Sequence, residues 1–501
     1  MNPKTKRIFT LLISIVVVIG VVVALYFYAG KEPFIRTTLS GLTLGSLFFL
    51  VAAGLTLIFG LMDVLNFAHG SMFMLGAYMG WQFYTNPTFI FGLLPVLLAF
   101  SSGVMLTSFM KPYLIRWEIS DNWRNALPKI AYLLAIIAAL IGFLGLDILE
   151  LAKTAMVAMT TTSVGDPLSE ISAQEALSIF WYRPVLLLIS GILVAFAVSK
   201  PGDKTEFAPN DNMRQKLILP LVLFVLTIIA TLIRESAPEA ILLMNGNWRF
   251  VLSILAAVGS GFLFGAVTEL TLIRPLYVRS FFIVLLTLGL SYVIRELVQL
   301  LWDPLAYQMA RPPLFAQTGK AENLLDWLKN GYSTIDISGV TFPTYRLFVI
   351  FLGLAMFIFL VLLMTKTRLG MIIRAGVQDP QMVEALGINV KKVFTIVFAM
   401  GVAMAALGGI GAGPFLPIQP MMGDQYLMQG FITVVIGGMG SYVGAFVGAL
   451  ILGMARAFGD YFALKLSLSP ALAEASTVII MIIVLLVRPQ EIGRASCRER
   501  V

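Results

Sequence analysis

The residues able to do chemistry are few. The chain has one histidine, His69, and one cysteine, Cys497, so an internal disulfide framework and a cysteine-based metal site are both excluded. Asp63 and Asn66 precede His69 in the run Asp63-Val64-Leu65-Asn66-Phe67-Ala68-His69-Gly70, which joins two apolar segments. Polar groups at membrane depth line a cavity or pair with one another, whereas at an interface they only cap a helix end. Both readings of Asp63, Asn66 and His69 are open, as pathway-lining residues or as caps. A second interruption, Gly437-Gly438-Met439-Gly440, falls in a later apolar stretch, and matched helix breaks in two halves are a common way of building a transport route. Arg295 and Glu296 lie inside another apolar run and point about 100° apart, so they do not simply neutralise each other. A proton relay or pairing with neighbouring helices would account for them, and the same holds for Glu474. There is no Gly-x-x-x-x-Gly-Lys-Ser/Thr loop, no His-Glu-x-x-His and no carboxylate–histidine cluster. No cofactor, no metal and no catalytic centre are expected.

The elements that must position these groups are membrane helices. Of 501 residues, 59% are hydrophobic and 12% charged, with a mean hydropathy of +0.91, whereas a soluble domain is about 25% charged. Apolar segments of spanning length run at roughly 8–29, 38–60, 88–110, 130–147, 181–199, 217–234, 250–272, 281–302, 346–365, 393–413 and 472–488, with glycine-broken stretches at 71–84 and 425–456. The pI of 9.4 could suggest nucleic acid, but the basic residues sit in short loops between apolar runs. With the N-terminus inside, the four most basic stretches are cytoplasmic: those around Lys111–Lys129, Lys200–Lys216, Arg274–Arg279 and Lys366–Lys392. The acidic loop 147–179 falls outside, and the mixed loop 303–345 decides nothing. The fold class expected is all-α transmembrane, with 13 or 14 spans according to whether 425–456 crosses once or twice.

The cytoplasmic loop 366–392 contains a small element of its own. Asp379-Pro380 reads as an N-cap with proline at the first helical position, opening a short helix 381–386 that stops at Gly387. An exposed helix lying between two spans is what a soluble motor would push against, although composition alone also allows an ordinary basic connector.

Glu384-Ala385-Leu386-Gly387 resembles the EAA…G coupling loop of ABC importer permeases. The stretch from Arg368 to about Arg456 resembles the C-terminal half of the branched-chain amino acid permeases, the inner-membrane translocator family. Gly41-Leu42-Thr43-Leu44-Gly45-Ser46, the Asn66-Phe67-Ala68-His69-Gly70 run followed by Met74-Leu75-Gly76-Ala77-Tyr78, Glu269, Arg274-Pro275-Leu276 and Gly437-Gly438-Met439-Gly440-Ser441 fit the same resemblance in order. It covers about 38–84 and 250–490. It implies a core of about nine spans and ATP-driven uptake of a branched-chain or related small amino acid. It also implies partners: a periplasmic or extracellular substrate-binding protein, a second permease subunit and two ATP-binding subunits. The coupling residues implied are Arg374, Asp379, Glu384, Ala385 and Gly387. The pathway candidates are Asp63, Asn66, His69, Gly437, Gly438 and Gly440. The location implied is the bacterial inner (plasma) membrane.

The family needs one span where this chain has five, so residues 85–249 are expected to be a four-span insertion. The domain plan is then an extra N-terminal helix in 1–37, a first core part 38–84, the insertion, and a second core part 250–493. Residues 494–501 match no helix logic and resemble a vector-derived tail, whose removal would lower the net charge from +8 to +6 by three Arg and one Glu. The run 8–29 is longer than a signal peptide's apolar core and is expected to be a retained helix. Three rivals are a urea or amide permease of the same superfamily, an ion-coupled transporter, and a lipid-modifying membrane enzyme using Asp63, His69 or Glu296.

Overall fold

The computed structural model describes residues 20, 23–62, 65–114, 117, 120–144, 148–160, 182–199, 213–277, 279–469 and 471–487. Asp63, most of the predicted helix 8–29, and the tail 494–501 with Cys497 lie outside the described residues. In chain order the helices are α1 (Lys31–Met62), α2 (His69–Thr85), α3 (Thr88–Met105), α4 (Thr107–Leu114), α5 (Asp121–Phe143), α6 (Ile148–Thr160), α7 (Tyr182–Val198) and α8 (Met213–Ile233). There follow α9 (Ser236–Leu243), α10 (Gly246–Thr268), α11 (Ser280–Trp302), β1 (Gln317–Ala321), α12 (Leu324–Asn330), β2 (Tyr332–Ile337) and β3 (Val340–Pro343). The last group is α13 (Thr344–Lys366), α14 (Arg368–Gln378), α15 (Pro380–Ala385), α16 (Val390–Ala412), α17 (Met422–Gly437), α18 (Tyr442–Lys465) and α19 (Ala471–Val487). Among the described residues, nine helices are long and apolar enough to cross a membrane. The protein is thus a multi-pass helical membrane protein. The glycine-broken stretch 425–456 resolves into two helices, α17 and α18, that run antiparallel, Gly437 facing Gly444 and Gly448 facing Thr433.

The chain divides into two compact units. The first comprises residues up to Trp81, Phe250–Gln299 and Pro304 onward. Its axis is α1, a 32-residue helix about 48 Å long at 1.5 Å per residue, and α13, α16, α17 and α18 all pack on it. In a membrane there is no hydrophobic drive between helices, so close approach of small residues has to supply the attraction. Gly45 does this for α1: a Cβ there would stand 2.9 Å from the Ala449 carbonyl oxygen and 3.0 Å from Leu450 Cα. Further along α1 the core turns aromatic. Phe357 and Phe446 stack at 4.2 Å between ring centres, and Phe49 meets Phe446 edge-on at 5.0 Å.

The same unit carries the one sheet among the described residues, within the loop whose mixed charge decided nothing in sequence. β1 pairs parallel to β2, and β2 antiparallel to β3 with Ile337 opposite Val340. That register leaves a two-residue turn, Ser338-Gly339, in which both residues have positive φ (56° and 89°) as a type I′ hairpin requires. Asn323 caps α12 by accepting from the Asp326 amide at 2.9 Å. Tyr307 exchanges two 2.8 Å backbone bonds with Ile418, joining the loop after α11 to the connection before α17.

The second unit comprises Gln82–Arg249 with Leu300–Asp303. Helices α3, α5, α7 and α8 form it, with α7 packed against both α3 and α5. Proline interrupts none of these helices, although Pro95, Pro128 and Pro220 all lie inside them. Serines bridge neighbouring helices at backbone carbonyls: Ser190 Oγ donates to Ala135 O at 2.8 Å, and Ser102 Oγ to Pro220 O at 2.9 Å.

Candidate functional site: an exposed two-helix segment and a broken-helix pair

Between α13 and α16 the chain folds into two short helices, each opened by a side-chain cap. Thr367 accepts from the Gly370 amide at 3.1 Å to start α14. Asp379 accepts from the Met382 amide at 3.0 Å to start α15, with Pro380 in the first position. Asn389 then accepts from the Lys392 amide at 3.1 Å to start α16. α15 ends in a Schellman turn: the Gly387 N–H donates to Glu384 O at 2.9 Å and the Ile388 N–H to Val383 O at 3.3 Å, with Gly387 at φ +82°. A side chain at 387 would meet nothing within 4 Å, so glycine is needed there for its conformation and not for space.

Burial sorts this segment into an anchoring face and a free face. Ile373 of α14 and Val383 of α15 are each 2% exposed, whereas Met371, Met382 and Leu386 are 62%, 62% and 72% exposed. Met382 and Leu386 are four residues apart and share one side of the turn. Arg374, Asp379, Glu384 and Ala385 are exposed as well. The five residues singled out in sequence therefore lie on two short capped helices and the turn that ends the second, beside apolar side chains that no described residue covers.

The second candidate is the pair of helix breaks. Residues 65–68 are non-helical, and α2 begins at His69. His69 is fully buried, and its Nε2 lies 3.1 Å from the Val51 carbonyl oxygen, eleven residues back from the end of α1. The carbonyl can only accept, so Nε2 carries the proton. Gly54 makes room for the ring: a Cβ there would stand 2.6 Å from His69 Cε1. Nδ1 has no partner among the described residues. Asn66, 2% exposed, turns the chain by accepting from the Ala68 amide at 3.0 Å, and Thr287 Oγ1 accepts from the Phe67 amide at 3.2 Å. Ser71 Oγ and Ser291 Oγ lie 2.7 Å apart. Non-helical backbone at membrane depth has to be satisfied by protein or water, and here α11 supplies part of that.

The second break, Gly438–Ser441, uses positive φ at Gly438 (95°) and Gly440 (84°). Ser441 then caps α18 by accepting from the Gly444 amide at 3.1 Å. Gly437 and Gly438 are buried and Gly440 is exposed. A Cβ on Gly60 would stand 3.1 Å from Gly440 Cα, so the end of α1 touches the second break. The contact is between helix α1 and the second break. Asn66 and His69 are enclosed by protein.

The remaining charges inside the apolar runs also find partners. Arg295 Nη1 donates to Asp424 Oδ2 at 3.0 Å, while Nε stands 3.7 Å from its neighbour Glu296. The long side chain thus reaches the adjacent carboxylate that the 100° separation had seemed to forbid, but its closest bond crosses to α17. Glu474 pairs with Arg456 at 3.5 Å, which also reaches Asp460 at 3.4 Å. Asp424, Asp460, Tyr277 and Thr395 received no role from sequence reading. Arg295 and Asp424 are 129 residues apart, a pairing that local spacing does not mark, whereas Asp460 lies one helical turn from Arg456.

A family model described as branched-chain amino acid transport system, permease component, matches residues 235–487. The permease protein BraD of Pseudomonas aeruginosa, from a high-affinity branched-chain amino acid transport system, is 31% identical over 226 residues, 44% of this chain and 69% of BraD. LivH of Salmonella typhimurium, from a system of the same description, is 38% identical over 124 residues, 25% of this chain. The match spans only 39% of LivH's own length. A probable LivH of Methanocaldococcus jannaschii is 28% identical over 161 residues, 32% of this chain and 51% of that protein. No solved structure matches. The helices define a multi-pass membrane protein, and the matching family model places it among permease components. The chain belongs to the family of branched-chain amino acid transport permease components.

Proposed function

We propose that this chain is the channel-forming subunit of an ATP-driven importer for branched-chain or related small amino acids. In this reading two ATP-binding subunits dock on the segment 367–389, a second permease subunit completes the pathway, and a periplasmic or extracellular binding protein delivers substrate. The bacterial inner (plasma) membrane is the setting. The observation that carries the proposal is α15: a six-residue helix, anchored by Val383 and exposing Met382, Glu384 and Leu386, inside the family-matched region. Exposed apolar side chains on a capped helix favour a protein partner.

In mechanism, the ATPases move α15, its anchors Ile373 and Val383 carry that motion into the core, and the helices around the two breaks shift. Asp63, Asn66, Gly437, Gly438 and Gly440 are proposed to bound the route, and His69, a pathway candidate by its place in the sequence, is proposed instead to hold α2 against α1. The insertion 85–249 is proposed to be an accessory unit, a reading favoured by the separate clustering of Gln82–Arg249. The family relationship makes the chain a transport subunit, and ATP hydrolysis is assigned to its partners.

The test is purification of the tagged chain from its own operon background. Co-purifying ATPase supports the reading, and Glu384→Lys, which reverses charge at the centre of the exposed face, should release that ATPase while the permease still inserts. A wild-type chain that carries no ATPase, or a Glu384→Lys chain that retains it in full, sinks the docking assignment.

A further inference from the structure

One cluster lies outside both candidate sites. α10 ends in a single π-helical turn, Glu269–Ile273, followed by the 3₁₀ turn Arg274–Leu276. π-turns inserted in α-helices are rare and concentrate at functional positions. Here the irregular turns aim three side chains at one point. Glu269 is fully buried, and its carboxylate takes Arg274 as a fork, Nε to Oε1 at 3.3 Å and Nη2 to Oε2 at 3.4 Å. The Tyr277 hydroxyl donates to the same Oε1. Burial, and then the carboxylate accepting that hydrogen bond, push the Tyr277 hydroxyl pKa above its ordinary value, which keeps it a donor.

Arg274 does not stop at Glu269. Its Nη2 also donates to Thr395 Oγ1 at 2.6 Å and to the Lys391 carbonyl at 3.2 Å. The Tyr277 ring meets Phe394 edge-on, 5.5 Å between centres. Lys391, Phe394 and Thr395 form the first turns of α16, which begins immediately after the short helix α15. Higher up, α10 and α16 are already in close contact: a Cβ on Gly261 would stand 2.6 Å from Ala406 Cβ, and one on Gly265 2.8 Å from Val402 Cβ. The pair is therefore joined by small-residue packing along its length and by a buried charge node at the end nearest α15.

We propose that Glu269, Arg274, Tyr277 and Thr395 are positioning residues that make α10 move together with α16 when α15 is displaced. The inference rests on α15 being the coupling helix. A displacement of α15 pulls on the first turn of α16. Without the node, that turn can bend away and leave α10 behind. With it, α10 cannot lag without breaking the Arg274 bonds to Thr395 and to the Lys391 carbonyl, which costs charge-assisted hydrogen bonds at a part-buried guanidinium.

The experiment uses the complete transporter with its ATPase subunits in proteoliposomes, reading leucine moved per ATP hydrolysed. Thr395→Val removes only the hydroxyl that Arg274 reaches, and Glu269→Gln keeps the shape but removes the charge. Each variant should assemble and hydrolyse ATP while the transported amount per ATP falls by about tenfold, the scale of one charge-assisted hydrogen bond. The double variant should fall little further, because both changes sever one linkage. Should Glu269→Gln fail to insert, Thr395→Val carries the test alone. An unchanged ratio in Thr395→Val, with assembly intact, overturns the proposal. If Glu384→Lys abolishes uptake while the node variants transport normally, this inference fails and the coupling reading stands. If Glu384→Lys transports normally too, it is the coupling reading that has failed.

Discussion

Gly387 offers a graded perturbation of the coupling helix. Its φ of +82° lies in the left-handed region, where an L side chain costs about 1–2 kcal/mol. Space is open around it, so Gly387→Ala adds conformational strain and no clash. Proline goes further: it fixes φ near −65°, incompatible with the turn, and deletes the N–H that donates to Glu384 O at 2.9 Å, a change of about 3 kcal/mol or more. α15 has six residues and cannot hold itself by helix propensity, so these amounts fall on the local opening of the Schellman turn. A loss of 1–2 kcal/mol raises the opened population about 5–30-fold. The assay is amide hydrogen exchange in detergent-solubilised protein at Leu386 and Ile388, whose N–H groups donate to Met382 O and Val383 O. Exchange at both should accelerate by that factor in Gly387→Ala, and protection should vanish in Gly387→Pro. Gly387→Asn should lie between wild type and alanine, since asparagine tolerates the left-handed region. Uptake should follow the same order. Equal protection in the alanine variant and wild type would refute the assignment of Gly387 as a conformational stop.

His69→Ala removes the Nε2–Val51 bond and leaves a void beside Gly54, so thermal stability in detergent should drop, with about 1–3 kcal/mol from the hydrogen bond alone. Leucine transport by the surviving fraction should persist if His69 is a strut, and its complete loss at full stability would make the ring a pathway residue. Gly45→Leu drives a side chain into the α18 backbone at Ala449 and Leu450, and should abolish accumulation of folded permease, measured by size-exclusion profile, while the same change at the open Gly289 should not. The sheet has a pH signature. Lys320 hydrogen-bonds Asp336 and holds its carboxyl below the ordinary carboxylate range. A carboxyl depressed in the folded state contributes stability above its unfolded pKa of about 3.8 and loses it as pH falls through the folded value. Exchange at β2–β3 should therefore quicken below about pH 4 in wild type, and Lys320→Met should flatten that dependence.

Much of the architecture could be read in the apolar runs. Each predicted span from 38–60 onward has a helix at its place, and the Asp379-Pro380…Gly387 punctuation marked α15 to within a residue. Those signals are local, a run of apolar residues or a cap and a stop within nine positions. The sheet escaped because β1, Gln317–Ala321, shows neither alternation nor β-branched enrichment, and the β-branched and aromatic residues of β2 and β3 make only short strands of six and four residues in a loop read for its charge. The Glu269–Arg274–Thr395 node and the Arg295–Asp424 bond escaped for a different reason. Their partners lie 121 and 129 residues apart, and such pairing is set by how helices pack, which one sequence does not state. His69 was legible as exceptional but not as enclosed, since burial depends on Val51 and Gly54 one helix away.

In the proposed function, ATP hydrolysed by partner subunits drives uptake through this chain. This is tested most directly by leucine accumulation in proteoliposomes containing the purified transporter, with its binding protein outside and ATP sealed inside. Accumulation should require internal ATP and survive dissipation of the proton gradient. Accumulation without ATP, abolished when the proton gradient collapses, would contradict that proposal and make the protein an ion-coupled transporter.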